Sequence, residues 1–170
     1  AIKNKLRDLI PNHRVLLVYP IPERKWIVKV APEDAERPGE RLSRRRSPKR
    51  GKPTDLFGEL VRIPTLAPHP HLTLDIVMCH VDEIRCDDGE GSWRRKGVSI
   101  LDQELLEVTE TLRLRTQADF ARFLPPGLKE PFTNRSLAEA AGISTRQAGR
   151  MTYCLRKMGA VERVGKEGNA

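Results

Sequence analysis

The chain has 170 residues, 38% of them apolar and 32% charged, with a formal net charge of +8. This length allows one domain with a substantial core and a second, smaller domain. No apolar run approaches the ~20 residues needed to cross a bilayer, and the charges within the first ten residues do not fit a signal peptide. Cys79, Cys86 and Cys154 are too few for a disulfide framework, so the sequence predicts a cytoplasmic protein that does not contact a membrane.

Charge is distributed unevenly along the chain. Residues 36–53 contain eight basic and two acidic residues, whereas residues 54–115 contain seven basic and twelve acidic residues. Residues 116–170 are basic again, with nine basic and five acidic residues. Basic segments of this kind bind phosphate groups, so the charge pattern favours nucleic acid as a partner.

Residues 1–115 alternate between helical and strand-like patterns. Helices are predicted over residues 2–10 and from Asp55, where we expect Thr54 to cap the helix and Pro64 to end it. Strand-like apolar runs follow over 15–19, 26–30, 72–85, 93–100 and 106–114. This order predicts an N-terminal α/β or α+β layer domain with a mixed sheet, in which the first and third strands are parallel neighbours. No motif indicates a function for this domain.

Residues 36–53 interrupt the predicted sheet. Their basic side chains are concentrated at Arg44, Arg45, Arg46, Lys49 and Arg50. This block has no apolar side chain to offset the entropy of ordering, so the sequence predicts a mobile basic loop. Two interpretations remain open: a solvated loop without a partner, and an arm that becomes ordered on nucleic acid.

Residues 134–151 resemble a helix-turn-helix. Gly142 supplies the left-handed backbone of the turn, small alanines allow the two helices to cross closely, and Ser144 or Thr145 caps the second helix. The matching positions are Leu137, Ala138, Ala141, Gly142, Ile143, Ala148 and Met151.

The second helix of this motif is predicted to extend to about Met158. Its buried face comprises Ala148, Met151, Leu155 and Met158. The opposite stripe comprises Arg146, Arg150, Tyr153 and Lys157, flanked by Thr145, Gln147 and Arg156. Such a stripe offers hydrogen-bond donors for base edges and phosphates.

The flanking residues extend the resemblance to the winged-helix superfamily, over residues 116–170. A short strand is expected at Phe132, a wing strand over residues 160–164, and a turn with Lys166 at its tip. The second wing strand is missing because Ala170 ends the sequence, which leaves a fragment or a longer chain as alternatives. Most winged helices bind double-stranded DNA, and some serve only protein contacts, so the resemblance implies duplex DNA as the partner.

A metal-dependent nuclease is the alternative from another class. Asp75, Glu83 and Arg85 faintly resemble the acidic pattern of restriction-type nucleases, but an arginine replaces the lysine and cannot act as a tunable base. Eight residues of one straight strand also span ~26 Å, so a shared metal would require a turn near His80.

No cofactor or metal site is predicted. The candidate zinc ligands His69, His71, Cys79, His80 and Cys86 match no common spacing. The sequence contains no phosphate-binding glycine loop and no nucleophile elbow.

The sequence therefore predicts an N-terminal domain of unknown function over residues 1–115 and a winged helix over residues 116–170. The expected role is recognition of duplex DNA, as a regulator or a targeting module. A nuclease and a protein-interaction scaffold are the alternatives. A homodimer or membership of a larger nucleic-acid-processing complex is left open.

Overall fold

The computed structural model describes residues 2–165 and has a mixed α/β architecture, with a four-stranded sheet and five α-helices. The helices are α1 (Ile2–Leu9), α2 (Phe57–Leu60), α3 (Gln117–Ala121), α4 (Asn134–Ala141) and α5 (Thr145–Met158), with 3-10 helices at Pro53–Leu56 and Trp93–Arg95. The strands are β1 (Val15–Val30), β2 (Arg41–Arg46), β3 (Leu72–Asp87) and β4 (Val98–Leu114). Within residues 2–165, no helix is both long and apolar enough to cross a bilayer.

The sheet has the strand order β2-β1-β3-β4. β1 and β2 are antiparallel, with Trp26 opposite Arg46 and Val28 opposite Arg44. Residue numbers increase in the same direction along β1 and β3. The Val15 amide at the start of β1 donates to the His71 carbonyl, just before β3, and Lys25 further along β1 donates to Glu83 further along β3. The two strands are therefore parallel neighbours, as predicted.

Contacts between β3 and β4 run in opposite directions. Ser99 contacts Asp88 near one end of the pair, and Arg113 contacts Asp75 near the other. These two strands are therefore antiparallel, which makes the sheet mixed, as predicted. Arg41 of β2 also reaches Glu104 of β4, and a contact between the two outer strands requires a curled sheet.

β1 is continuous through Pro20 and Pro22, where the sequence predicted a break between two short strands. The Pro22 carbonyl accepts a hydrogen bond from the Gly51 amide, so this side of the strand points away from β3. Because β2 pairs only with the last part of β1, the missing proline amides lie where no strand requires them. A side chain on Gly51 would overlap Ile21 and the Pro22 carbonyl, so this close approach requires glycine.

β2 lies within residues 36–53, where the sequence predicted a mobile basic loop, so the loop assignment is wrong for residues 41–46, and the mobility of the segment stays a prediction. Pairing with β1 supplies backbone hydrogen bonds along one side of residues 41–46. Arg44 donates to both carboxylate oxygens of the buried Asp82, at 2.8 to 3.1 Å, and its guanidinium lies 4.7 Å from the centre of the Trp26 ring. Ordering here depends on charge pairing and backbone hydrogen bonds, not on apolar burial.

Four further elements differ from the prediction. Residues 93–95 form a 3-10 helix, and the two strands predicted over 93–100 and 106–114 are replaced by the single strand β4. Thr54 lies inside a 3-10 helix, and its buried hydroxyl has no hydrogen-bond partner in the described chain, so it is not a helix cap. Residues 160–164 form no strand, contrary to the prediction, and have irregular backbone structure. Phe132 also forms no strand, so the wing residues have no ladder partner within residues 2–165.

The chain divides into two compact units. The first contains residues 2–19, 53–76 and 112–165, with a core of helical residues that includes Phe57, Phe120, Leu137, Met151 and Leu155. The second contains residues 20–52 and 77–111, and its core includes Val28, Val30 and Cys86. The domain boundary expected after Arg115 stays a prediction.

Candidate nucleic-acid interface

α4 is defined at both ends by local hydrogen bonds. Thr133 precedes it and forms a capping box with Ser136, so that each side chain accepts from the other residue's backbone amide. At its C-terminal end, Gly142 has φ +59°, and the Ile143 amide donates to the Ala138 carbonyl. This is a Schellman ending, and it sets the direction in which the chain leaves the helix.

α5 is built in the same way. Ser144 forms a capping box with Gln147, so Ser144 and not Thr145 is the cap. Gly159 ends the helix with φ +79°, and the Ala160 amide donates to the Leu155 carbonyl. These local signals place two helices around the turn, as the predicted motif requires.

α5 packs against three neighbours in its own compact unit. It contacts α4, α3, and the segment formed by the 3-10 helix Pro53–Leu56 and α2. Its fully buried side chains are Ala148, Met151, Cys154, Leu155 and Met158. Cys154 lies beneath the Phe57 carbonyl, and burial raises the pKa of its thiol to about 12, so this cysteine is structural and unreactive at neutral pH.

The side of α5 that faces solvent is cationic, and we call it the cationic face. It comprises Thr145, Arg146, Tyr153, Arg156 and Lys157, all of them exposed. α5 contains no acidic residue, and within residues 2–165 no carboxylate forms an ion pair with these three cations. The cationic face therefore has unneutralised charge available for an anionic ligand.

One residue that flanks the predicted stripe and one residue within it are turned away from solvent. The Gln147 side chain donates to Asp55 at 2.9 Å. Arg150 is half-buried across Gly58, where a methyl group on the glycine would come within 3.4 Å of its guanidinium. Packing of the 3-10 helix and α2 on α5 thus shifts the exposed stripe toward Arg156, and sequence periodicity gave no signal of this packing.

Lys166, predicted at the tip of the wing, lies outside the described residues. Arg163, which was not among the predicted DNA-binding residues, is exposed near the end of the described chain. The contribution of a wing therefore stays a prediction.

The basic residues of β2 and of the segment that follows it are exposed but differ in their partners. Arg41 and Arg44 form ion pairs with Asp82. Arg45, Arg46, Lys49 and Arg50 are exposed and have no ion-pair partner in the described chain. The segment is thus partly used by its own sheet, a role without a local signal in the sequence because Asp82 lies 38 residues from Arg44.

The carboxylates proposed for a nuclease are each held by cations. Asp75 accepts two hydrogen bonds from Arg113, at 2.7 and 2.8 Å, which lower its pKa. Glu83 is buried between Lys25 and Arg85. Burial raises the Glu83 pKa, but hydrogen bonds from both cations outweigh that effect and hold the pKa below its usual range.

β3 runs from Leu72 to Asp87 without the turn near His80 that a shared metal site would require. His80 instead contacts Glu107 at 3.0 Å and meets the Trp26 ring edge-on. Among residues 2–165, no three histidine, cysteine or acidic side chains are grouped as they would be around a metal ion. This applies to the candidate zinc ligands as well as to the acidic residues.

Comparisons with known proteins point to one family. Residues 1–115 match the family described as "Domain of unknown function (DUF8091)". A protein from Treponema pallidum (strain Nichols), described as "Uncharacterized protein", is 34% identical over 168 residues, which cover 98% of this chain. The chain spans 64% of the length of that relative. No solved structure matches. Because the family match covers more than half of the sequence, the chain belongs to the DUF8091 family.

Proposed function

We propose that this protein binds duplex DNA through the cationic face of α5, as a regulator or targeting module of the winged-helix type. The observation that carries the proposal is the acid-free, exposed face of α5, a helix that begins at the Ser144 capping box and ends at the left-handed Gly159. Residues with several hydrogen-bond donors occupy a surface that no side chain of the described chain neutralises.

The dimensions of α5 are suitable for this role. Fourteen residues make a helix of ~21 Å, and the major groove of B-form DNA is ~12 Å wide and admits one α-helix. Arg146 lies near the N-terminus of α5, whose dipole also favours anions. Arg156 and Lys157 lie in the last turn, so phosphates on both sides of the groove are within reach of cations.

Salt dependence tests the electrostatic part of the proposal. If Arg146, Arg156 and Lys157 each neutralise one phosphate, the logarithm of the binding constant falls with the logarithm of salt concentration with a slope of about −2.7. The R156A/K157A double variant should reduce that slope to about −0.9. The matched control is Arg135→Ala, which removes an exposed cation that Glu139 already neutralises on α4. A slope near zero for the unaltered protein contradicts the proposal.

Sequence recognition and cleavage need separate measurements. Selection from random duplexes should enrich a common site if Arg146 and Tyr153 read base edges. Incubation with plasmid and Mg²⁺ tests the nuclease alternative, with Asp75→Ala as the control.

We propose a cytoplasmic location, which is supported by three buried thiols that form no disulfide.

A further inference from the structure

Trp93 lies in solvent on the connection between β3 and β4, within the second compact unit. Its side chain is among the largest apolar groups in proteins, and 83% of the residue's surface is exposed. A single exposed apolar residue is common on protein surfaces and is not by itself a binding site. The loop that carries Trp93 adds a fixed backbone, unpaired cations and an open ring face, and together these features point to a ligand.

The backbone around Trp93 is held in place. The Gly91 amide donates to the Gly97 carbonyl at 2.8 Å, which closes the five residues between them into a tip. We call Ser92–Lys96 the Trp93 tip, and two further backbone hydrogen bonds form a 3-10 turn inside it. A side chain on Gly91 would overlap the Val98 carbonyl, so the close crossing at the base of the tip requires glycine. A loop already folded in this way loses little entropy when it meets a partner.

The Trp93 tip is cationic and contains no acidic residue. Arg94, Arg95 and Lys96 are exposed, and none of them forms an ion pair within residues 2–165. Arg95 is partly used by the loop, because its Nε donates to the Val98 carbonyl at 3.2 Å. Carboxylates at positions 87, 88 and 90 balance the charge of the whole connection. The tip therefore attracts anions at short range, through Arg94 and Lys96 above all.

The other tryptophan of the chain shows how a paired indole and arginine are completed. At Trp26, the Arg44 guanidinium lies 4.7 Å from the ring centre, its charge is neutralised by Asp82, and the His80 ring meets the indole edge-on. At Trp93, the Arg94 guanidinium lies 5.5 Å from the ring centre. Within residues 2–165, neither a carboxylate nor a second ring completes this pair. The tip thus lacks one anion and one flat ring.

A nucleotide supplies both missing groups. Its base stacks on an indole, and the phosphates on either side of it pair with nearby cations. The bases of a duplex are already stacked on each other, so only an unpaired base can cover the open face of Trp93. A membrane is less suitable, because binding to its surface depends on buried apolar area, and the tip has one apolar side chain.

We infer that the Trp93 tip binds single-stranded nucleic acid. An unpaired base stacks on the open face of Trp93, and the flanking phosphates contact Arg94 and Lys96. The tip belongs to the second compact unit, whereas α5 belongs to the first. The inference therefore does not depend on duplex DNA binding by α5.

The test is the fluorescence of Trp93 in the full chain, with oligo(dT) and oligo(rU) of about 15 nucleotides as probes. Trp26→Phe leaves Trp93 as the only tryptophan. Stacking should quench its emission in a saturable way, whereas a duplex of the same length should not. Quenching by only one of the two strands identifies DNA or RNA as the ligand. If Trp26→Phe does not fold, the difference in emission between the unaltered protein and Trp93→Phe reports the same event.

Variants of the tip separate stacking from charge, with binding followed by the anisotropy of a labelled strand. Trp93→Ala should weaken binding about tenfold, and Trp93→Phe should weaken it less because a ring remains. R94Q/K96Q should reduce the salt slope by about 1.4, since two phosphate contacts are lost. Leu42→Ala is the matched control, because it removes another exposed apolar side chain of the same unit, and it should bind normally.

The outcomes that overturn the inference are distinct. No saturable quenching by either strand overturns it directly. Equal quenching by the duplex shows that Trp93 does not require an unpaired base. Quenching by phosphatidylserine vesicles, without quenching by the strands, assigns the tip to a membrane instead. R156A/K157A should weaken duplex binding and leave the quenching of Trp93 unchanged, so failure of this site is distinguishable from failure of the cationic face.

Discussion

The cations of α5 and those of the curled sheet have opposite uses, although both are mostly arginines. On α5, Arg146, Arg156 and Lys157 have no carboxylate partner within residues 2–165 and lie in solvent. In the second unit, Arg44 is fixed by Asp82 and Trp26, and Lys25 and Arg85 enclose the buried Glu83. Cations that fill internal ion pairs stabilise the fold, whereas unpaired cations on a rigid element are available to a ligand. Net charge alone does not distinguish the two.

Glu83→Gln should give the largest loss of stability. The side chain is 1% exposed, and its removal leaves Lys25 and Arg85 without their shared carboxylate. Breaking a buried ion pair in this way should cost about 3 kcal/mol of unfolding free energy, measured by urea denaturation.

Glu139→Gln is the matched control, because its carboxylate pairs with Arg135 on the surface of α4. Its cost should be below about 1 kcal/mol. Equal losses from the two variants would mean that the ion pairs of the sheet are no more structural than those of the helices.

Acid should unfold the protein through the same carboxylates. The folded-state pKa values of Glu83 and Asp75 lie below their usual range, so the unfolded chain binds protons first as the pH falls. The stability that these groups give is complete above about pH 5 and decreases as the pH falls through about 4 and below. Urea midpoints measured across this range should show a shallower fall for Glu83→Gln than for the unaltered protein.

Gly142→Val should have an intermediate effect that is purely conformational. The residue has φ +59°, and a Cβ there would meet no atom within 4 Å. Backbone strain should therefore lower the unfolding free energy by about 1–2 kcal/mol. Gly142→Ala should cost less, because alanine is not β-branched. Identical costs above about 3 kcal/mol would indicate a steric clash instead.

The smallest effects should separate two arginines one turn apart. Arg146→Ala removes an exposed cation and should weaken DNA binding about five- to tenfold, with little change in melting temperature. Arg150→Ala should weaken binding less and lower the melting temperature slightly, because Arg150 packs across Gly58. Binding titrations and thermal melts of both variants check this order. A larger binding loss for Arg150→Ala than for Arg146→Ala would mean that Arg150 contacts DNA directly, as the stripe predicted from periodicity requires.

The sequence by itself determined α4, α5 and the turn between them. The deciding residues are Thr133, Gly142, Ser144 and Gly159, and the hydrogen bonds at these caps span only three to five positions. Interactions of such short range leave a readable pattern in the sequence. For the same reason α1 was predicted correctly, since its apolar spacing is local.

Only the tertiary structure decided which cations are available. Residues 41–46 form a strand because β1 supplies hydrogen bonds and Asp82, 38 residues from Arg44, supplies a carboxylate. Gln147 is withdrawn from the cationic face because Asp55 lies beside it in space, 92 residues away in sequence. A charged side chain has the same sequence signature whether it meets solvent or a distant partner, and the chain must fold before that partner is defined.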